Sequence, residues 1–101
     1  MILELTVTAY SYACGGSGLT AHTERNPIPY FTAAADPRVL PAGSLVEVQG
    51  PWGGLYLVED TGVIGQRLDL FVPDCHKAEW WGSQQRKVKV VKRIKVKRGM
   101  K

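Results

Sequence analysis

The chain of 101 residues can bury the hydrophobic core of one domain, and its 45% hydrophobic and 22% charged content excludes intrinsic disorder. No apolar run approaches the roughly 18 residues of a membrane-spanning helix. Residues 1–85 carry all nine acidic residues and four basic ones, whereas residues 86–101 carry nine Lys/Arg and no acid. We therefore predict one domain, residues 1–94, whose first 85 residues are acidic, followed by a basic tail, residues 95–101.

The basic segment leaves several interpretations open. It is suited to a polyanion, such as nucleic acid, an anionic wall polymer or a membrane surface. It is equally consistent with a solubilising edge strand, because lysines on an edge oppose aggregation. Specific nucleic-acid binding is the weaker alternative, since the tail lacks the interleaved aromatic residues that single-strand binders generally use.

Period-two alternation of apolar and polar residues predicts strands along most of the chain. The first, LELTVTAY (3–10), lacks the basic region and apolar core of a signal peptide, so none is expected in this chain. A loop rich in Gly and Pro follows from Ser11 to about Ala34, and the turn-rich DPRVLPAG comes next. SLVEVQ (44–49) and LYLVED (55–60) are predicted to form a hairpin through GPWGG.

The remaining third of the chain continues this pattern. RLDLFV (67–72) is the next predicted strand, and PDCHKAEWWG predicts a short helix with Asp74 as N-cap and Gly82 at its end. RKVKVVKRIKVK predicts one long strand, or two with a break near Lys92 and Arg93. About six short strands and one helix in roughly a hundred residues indicate an all-β fold, a small closed barrel without sheet edges.

The two cysteines do not by themselves indicate a structural or functional role. The spacing of Cys14 and Cys75 neither requires nor excludes a disulfide, which depends on the redox compartment. A zinc site with His22 and His76 is not expected, because adjacent Cys75 and His76 would have to bind the same ion. A Cys/His nucleophilic pair is not expected either, since no orienting third group is identifiable.

Three aspartates attract attention, although each has a structural explanation. Asp36 precedes a proline and can initiate a turn, and Asp60 can cap the exit of its strand. Asp69 lies inside a predicted strand, where Asp is disfavoured, and its alternation with Leu68 and Leu70 is consistent with a solvent-facing side chain. Taken singly, none of the three indicates a function.

The ordered set AADPRVLPAGS, YLVEDTG and RLDLF, with GLTA upstream, resembles the three-aspartate domain. This family is a double-psi β-barrel found in membrane-bound lytic transglycosylase A and in cell-wall proteins of germination and resuscitation. The resemblance covers about residues 6–91. It implies a six-stranded double-psi β-barrel with one short helix. It also implies cleavage of the β-1,4 glycan of peptidoglycan without water, with no metal or organic cofactor.

The resemblance also implies roles for individual residues. Asp69 corresponds to the acid/base of the family, and Asp60 and Asp36 are expected to line the same cleft as further catalytic residues. If the three carboxylates converge, they should share at least one proton. The expected substrate-binding residues are Thr20, Tyr10 and Gly62. Stacking surfaces for sugar rings are expected among Trp52, Trp80, Trp81, Tyr10, Tyr12 and Tyr56.

The stretch DTGVIGQRLD departs from the family, being two residues shorter than the corresponding segment and lacking its lysine. The alternative function is therefore a non-catalytic glycan-binding barrel, associated with a virion or with the wall. In either case the expected partners are peptidoglycan glycan strands, with an anionic wall polymer for the tail. The expected location is the cell envelope, the outside of the cell or a phage; the oligomeric state is left open.

Overall fold

The computed structural model describes residues 1–11, 26–50 and 53–94. In chain order these residues form β1 (Ile2–Tyr10), β2 (Thr32–Ala35), β3 (Ser44–Val48), β4 (Gly54–Asp60), β5 (Arg67–Phe71), α1 (Cys75–Trp81) and β6 (Gln84–Arg93). The strands close into a barrel in the order β1-β5-β2-β4-β3-β6, and β6 pairs with β1. The predicted all-β barrel of six strands with one short helix is confirmed.

The second strand was not predicted. β2 lies at the end of the stretch that the sequence assigned to a loop. The C-terminal strand β6 ends at Arg93, close to the break considered in the sequence, and residues 95–97 lie outside the described residues. TAAA lacks alternation, and alanine is disfavoured in strands. All four residues are nevertheless buried, since β2 pairs with β4 on one side and β5 on the other. β2 is buried by its neighbouring strands, and the pattern of its own residues does not indicate this burial.

The core fills the inside of the barrel with alternate residues of its strands. Full burial of a large apolar side chain stabilises the fold by about 1.5–3 kcal/mol. The core includes Leu5, Val7, Ala33, Ala35, Val46, Val48, Tyr56, Val58, Leu68, Leu70 and Val88. Because side chains alternate along a strand, Thr8 and Asp69, between core residues, lie on the opposite, outer face.

The helix α1 has both caps that the sequence predicted. The Asp74 side chain accepts a hydrogen bond from the Lys77 backbone N–H at 2.9 Å, and Gly82 ends the helix with a φ of 67°. The buried Trp81 donates from Nε1 to the Val7 carbonyl at 2.9 Å, which holds α1 against β1. Among the described residues no helix is long and apolar enough to cross a membrane.

The first residue of α1 settles part of the cysteine question. Cys75 is disulfide-bonded. The sequence contains one other cysteine, Cys14, which lies outside the described residues. Cys75 therefore forms a covalent cross-link, and its sulfur is not a free thiol that could bind zinc or act as a nucleophile.

The interpretation of the basic segment as an edge strand is wrong for residues 84–93. β6 pairs with β1 through residues 84–89 and with β3 through residues 88–93, so it lies between two strands of the closed barrel and is not an edge strand. The side chains of Lys87, Lys89 and Lys92 are exposed. They form a basic outer surface rather than a guard against edge pairing. The tail, residues 95–101, lies outside the described residues.

Candidate functional site

Two of the three aspartates flank the middle strand β2. Ala34 of β2 pairs with Asp69 of β5 on one side and with Asp60 of β4 on the other. Adjacent strands are about 4.8 Å apart, so the two aspartate backbones lie roughly 10 Å from each other. Paired residues point to the same face of a sheet. Asp60 and Asp69 therefore share the outer face, across a small alanine.

A register irregularity turns Asp60 to this face. Ala33 pairs with Val58, but Ala34 pairs with Asp60, so Glu59 is an extra residue in β4. Val58 belongs to the core, and in a regular strand Asp60 would point to the same side as Val58. A shift of one residue reverses the side to which the following side chains point. The bulge thus turns the Asp60 side chain to the same outer face as that of Asp69.

Asp69 has the environment expected of a proton donor. Its side chain is only 17% exposed, and its Oδ1 atom is buried without a hydrogen-bond partner. Burial raises the pKa of this carboxyl, and the nearby Arg67 guanidinium offsets part of that rise. Unpaired buried carboxylate oxygens are uncommon, and a raised carboxyl pKa is what general-acid chemistry requires. Of the three aspartates, Asp69 is the one suited to carry a proton.

Asp36 has the opposite environment. Its Oδ1 accepts from the Arg38 backbone N–H at 2.9 Å and from Arg38 Nε at 3.0 Å. Its Oδ2 accepts from Arg38 Nη2 at 2.7 Å and from the Gly65 backbone N–H at 2.9 Å. These bonds, above all those of the Arg38 side chain, hold the pKa of Asp36 well below its usual range. Asp36 therefore remains ionised and fixes the loop after Asp60 to the end of β2.

Tyr10 connects β1 to the Asp60 side of the site. Its hydroxyl donates to Asp60 Oδ2 at 3.3 Å, while Asp60 Oδ1 accepts from the Thr61 backbone N–H at 2.9 Å. The ring of Tyr10 packs edge-on against its register partner Phe71, with centroids 5.4 Å apart. Gly62 follows in the same loop, exposed and with a φ of 104°. Tyr10 thus lies next to one of the predicted catalytic carboxylates.

The other aromatic residues predicted to stack on sugars fall into three groups. Trp81 and Tyr56 are buried, so they are core residues and that expectation is wrong for them. Trp80 is 72% exposed, and for it the stacking role stays a prediction. Tyr12 and Trp52 lie outside the described residues, as does Thr20, the predicted substrate-binding threonine.

Two charged side chains of this region were missed by sequence reasoning. Arg67 Nη2 lies 3.7 Å from Asp69 Oδ1 and 3.5 Å from the Thr8 hydroxyl oxygen. Spacing i, i+2 along one strand could have indicated that Arg67 and Asp69 share a face. Glu59 is fully buried and accepts from the Thr32 hydroxyl at 2.7 Å. Nothing local indicated Glu59, because its position depends on the bulge.

The closed six-stranded barrel with this arrangement is a double-psi β-barrel of the MltA type, as predicted. The crystal structure of MltA from E. coli superposes on 78% of this chain and 29% of that chain with a TM-score of 0.56. The two sequences are 18% identical over this region, so the likeness concerns the fold.

The chain belongs to the 3D domain family, whose pattern matches residues 31–92. Two Bacillus subtilis (strain 168) proteins are similar. "Putative cell wall shaping protein YabE" is 35% identical over 89% of this chain and 23% of its own length. "Cell wall-binding protein YocH" is 37% identical over 87% of this chain and 32% of its own length. The chain therefore spans less than a third of either relative.

Proposed function

We propose that this domain is a peptidoglycan lytic transglycosylase. It would cleave the β-1,4 bond between N-acetylmuramic acid (MurNAc) and N-acetylglucosamine, in the cell envelope or outside the cell. The observation that carries the proposal is the buried Oδ1 of Asp69, which has no hydrogen-bond partner, together with the raised pKa of that carboxyl. The MltA-like fold and relatives named for the cell wall support the choice of substrate.

The proposed reaction uses Asp69 twice. Its carboxylic acid donates a proton to the glycosidic oxygen as the bond from that oxygen to C1 of MurNAc breaks. The resulting carboxylate then accepts the proton of the C6 hydroxyl, and the C6 oxygen bonds to C1 to give 1,6-anhydro-MurNAc. Asp69 ends protonated, and no water is consumed. One carboxyl is sufficient, unlike hydrolases that place a carboxylate on each side of the bond.

The neighbouring groups would hold the sugar. Asp60 has a fixed orientation, since one oxygen accepts from Tyr10 and the other from the Thr61 backbone. A carboxylate fixed in this way is a good acceptor for a sugar hydroxyl. Tyr10 offers both a ring edge and a hydroxyl beside it. Asp36 would act indirectly, by fixing the Gly65 end of the loop that contains Gly62.

A second candidate function is glycan binding without cleavage. The name of YocH, a cell wall-binding protein, favours it. So does the stretch between Asp60 and Asp69, which is shorter than in the family that the sequence resembles. Such a module would use the same outer face of β4, β2 and β5 but would release no product.

Analysis of products from purified peptidoglycan distinguishes these functions. A lytic transglycosylase releases muropeptides ending in 1,6-anhydro-MurNAc, each lighter by one water than the hydrolysis product in mass spectrometry. Products with reducing ends would identify a hydrolase instead. If the protein sediments with the wall but releases nothing, the binding module is the correct assignment.

We also propose that the basic segment binds an anionic wall polymer. The exposed lysines of β6 lead into the tail, in which Lys95, Lys97, Arg98 and Lys101 add further charge. Replacing these four tail residues by Gln should weaken co-sedimentation with walls at low salt. At about 1 M salt, where the Debye length is roughly 3 Å, wild type and variant should bind equally. Walls stripped of anionic polymer are the control. Binding that is insensitive to salt and to the replacement would contradict the proposal.

A further inference from the structure

Two Asp–Arg pairs in this region differ in their contacts. Arg38 donates to both oxygens of Asp36, at 3.0 Å from Nε and 2.7 Å from Nη2. Arg67 approaches Asp69 more loosely, with 3.7 Å between Nη2 and Oδ1, which is too long for a hydrogen bond. The first arrangement fixes the carboxylate in its charged form. The second leaves the Asp69 carboxyl able to hold a proton.

The position of Arg67 explains why it remains at this distance. Thr8 is the register partner of Asp69 in β1, and Arg67 Nη2 lies 3.5 Å from the Thr8 hydroxyl oxygen. The Arg67 side chain is 49% exposed, so it can change rotamer with little repacking. A movement of about 1 Å would bring Nη2 to the roughly 2.8 Å of a charge-assisted hydrogen bond with Asp69.

Arg67 is also the charge best placed to act on Asp69. The residues paired with Asp69 are neutral: Thr8 on the β1 side and Ala34 on the β2 side. The next carboxylate across the sheet is Asp60, beyond Ala34, and it accepts hydrogen bonds from Tyr10 and Thr61. Within the described part of the chain, Arg67 is the cation that forms an ion pair with Asp69.

We propose that Arg67 is a positioning residue that moves onto Asp69 when this carboxyl loses its proton, and so stabilises the carboxylate until the C6 hydroxyl returns one. The inference rests on the proposed function. Its physical basis is that a guanidinium, which does not titrate, favours only the charged form of the carboxyl. At 3.7 Å it acts weakly on the resting acid and more strongly on the carboxylate.

A carboxyl-detected NMR titration tests the Arg67–Asp69 coupling without requiring activity. The pKa of Asp69 should be higher in Arg67→Gln than in wild type, because the variant loses the charge that favours ionisation. Arg67→Lys should restore part of the difference, and Lys89→Gln, which removes a charge on β6, should leave the pKa unchanged. An equal Asp69 pKa in wild type and Arg67→Gln would overturn the proposal, whether or not the protein cleaves peptidoglycan.

The pH dependence of cleavage tests the mechanistic part. In Arg67→Gln, kcat should fall about 10-fold or more, the loss expected for a hydrogen bond to a charged group, with little change in KM. The alkaline limb of the kcat profile should move to higher pH together with the NMR pKa. An increase in KM alone, with an unmoved pH profile, would show a sugar-binding role and overturn the proposal. Inactive wild-type protein would refute the proposed function but leave the NMR result intact.

Discussion

Replacing Asp69 with Asn is expected to abolish release of 1,6-anhydro products and to leave binding to the glycan intact. Asn keeps the size and polarity of the side chain but cannot give and take a proton. General acid–base catalysis typically contributes about 10²–10⁴-fold, and here one residue supplies both roles, so the loss should be at least that large. Quantification of soluble muropeptides, with sedimentation of protein bound to the insoluble wall, measures both quantities.

The same variant should fold as well as the wild type. Burial raises the pKa of Asp69 in the folded protein. At pH values above the pKa that Asp69 has in the unfolded chain, burial of this carboxyl therefore lowers the free energy of unfolding. Asn carries no charge that must be buried, so the urea midpoint at neutral pH should be equal or higher. Replacing a residue that is retained for function commonly stabilises a protein in this way. Asp60→Asn is the matched control, and we expect it to lose less product release than Asp69→Asn. Full activity in Asp69→Asn would exclude Asp69 as the acid.

Much of the fold was predictable because most strands satisfy local rules. The alternation in β1, β3 and β5 reflects one face toward the core, and the caps of α1 at Asp74 and Gly82 are local signals. β2 was not predictable, because its burial comes from β4 and β5. Single-strand patterns cannot show that a short run of alanines will lie between two neighbours.

The candidate site was likewise predictable only in part. The order of the three aspartates along the chain was visible, but their chemical differences arise from contacts. Asp36 is held ionised by Arg38 and Gly65, whereas Asp69 lies buried with one oxygen that accepts no hydrogen bond. Asp60 reaches the shared face only through the bulge in β4. No local pattern distinguishes a 2.7 Å from a 3.7 Å Asp–Arg pair, yet that distance separates an anchored anion from a candidate acid.

Removing the disulfide of Cys75 is expected to have the largest effect on stability. Cys75→Ser should lower the free energy of unfolding by about 2–4 kcal/mol, because a cross-link restricts the unfolded chain. Cys75 begins α1, which packs on β1 through the hydrogen bond from Trp81 to the Val7 carbonyl. Urea unfolding followed by Trp fluorescence measures the change.

Reductant provides the matched control for Cys75→Ser. It should shift the wild-type urea midpoint to that of the variant and leave the variant unchanged, since the variant has no disulfide to lose. The result also bears on location, because stabilising disulfides persist in oxidising compartments and are rare in the cytosol. A loss of this size would therefore support the proposed site of action in the envelope. If reductant leaves the wild-type midpoint unchanged, the barrel does not depend on the cross-link, and the disulfide no longer argues for an oxidising compartment.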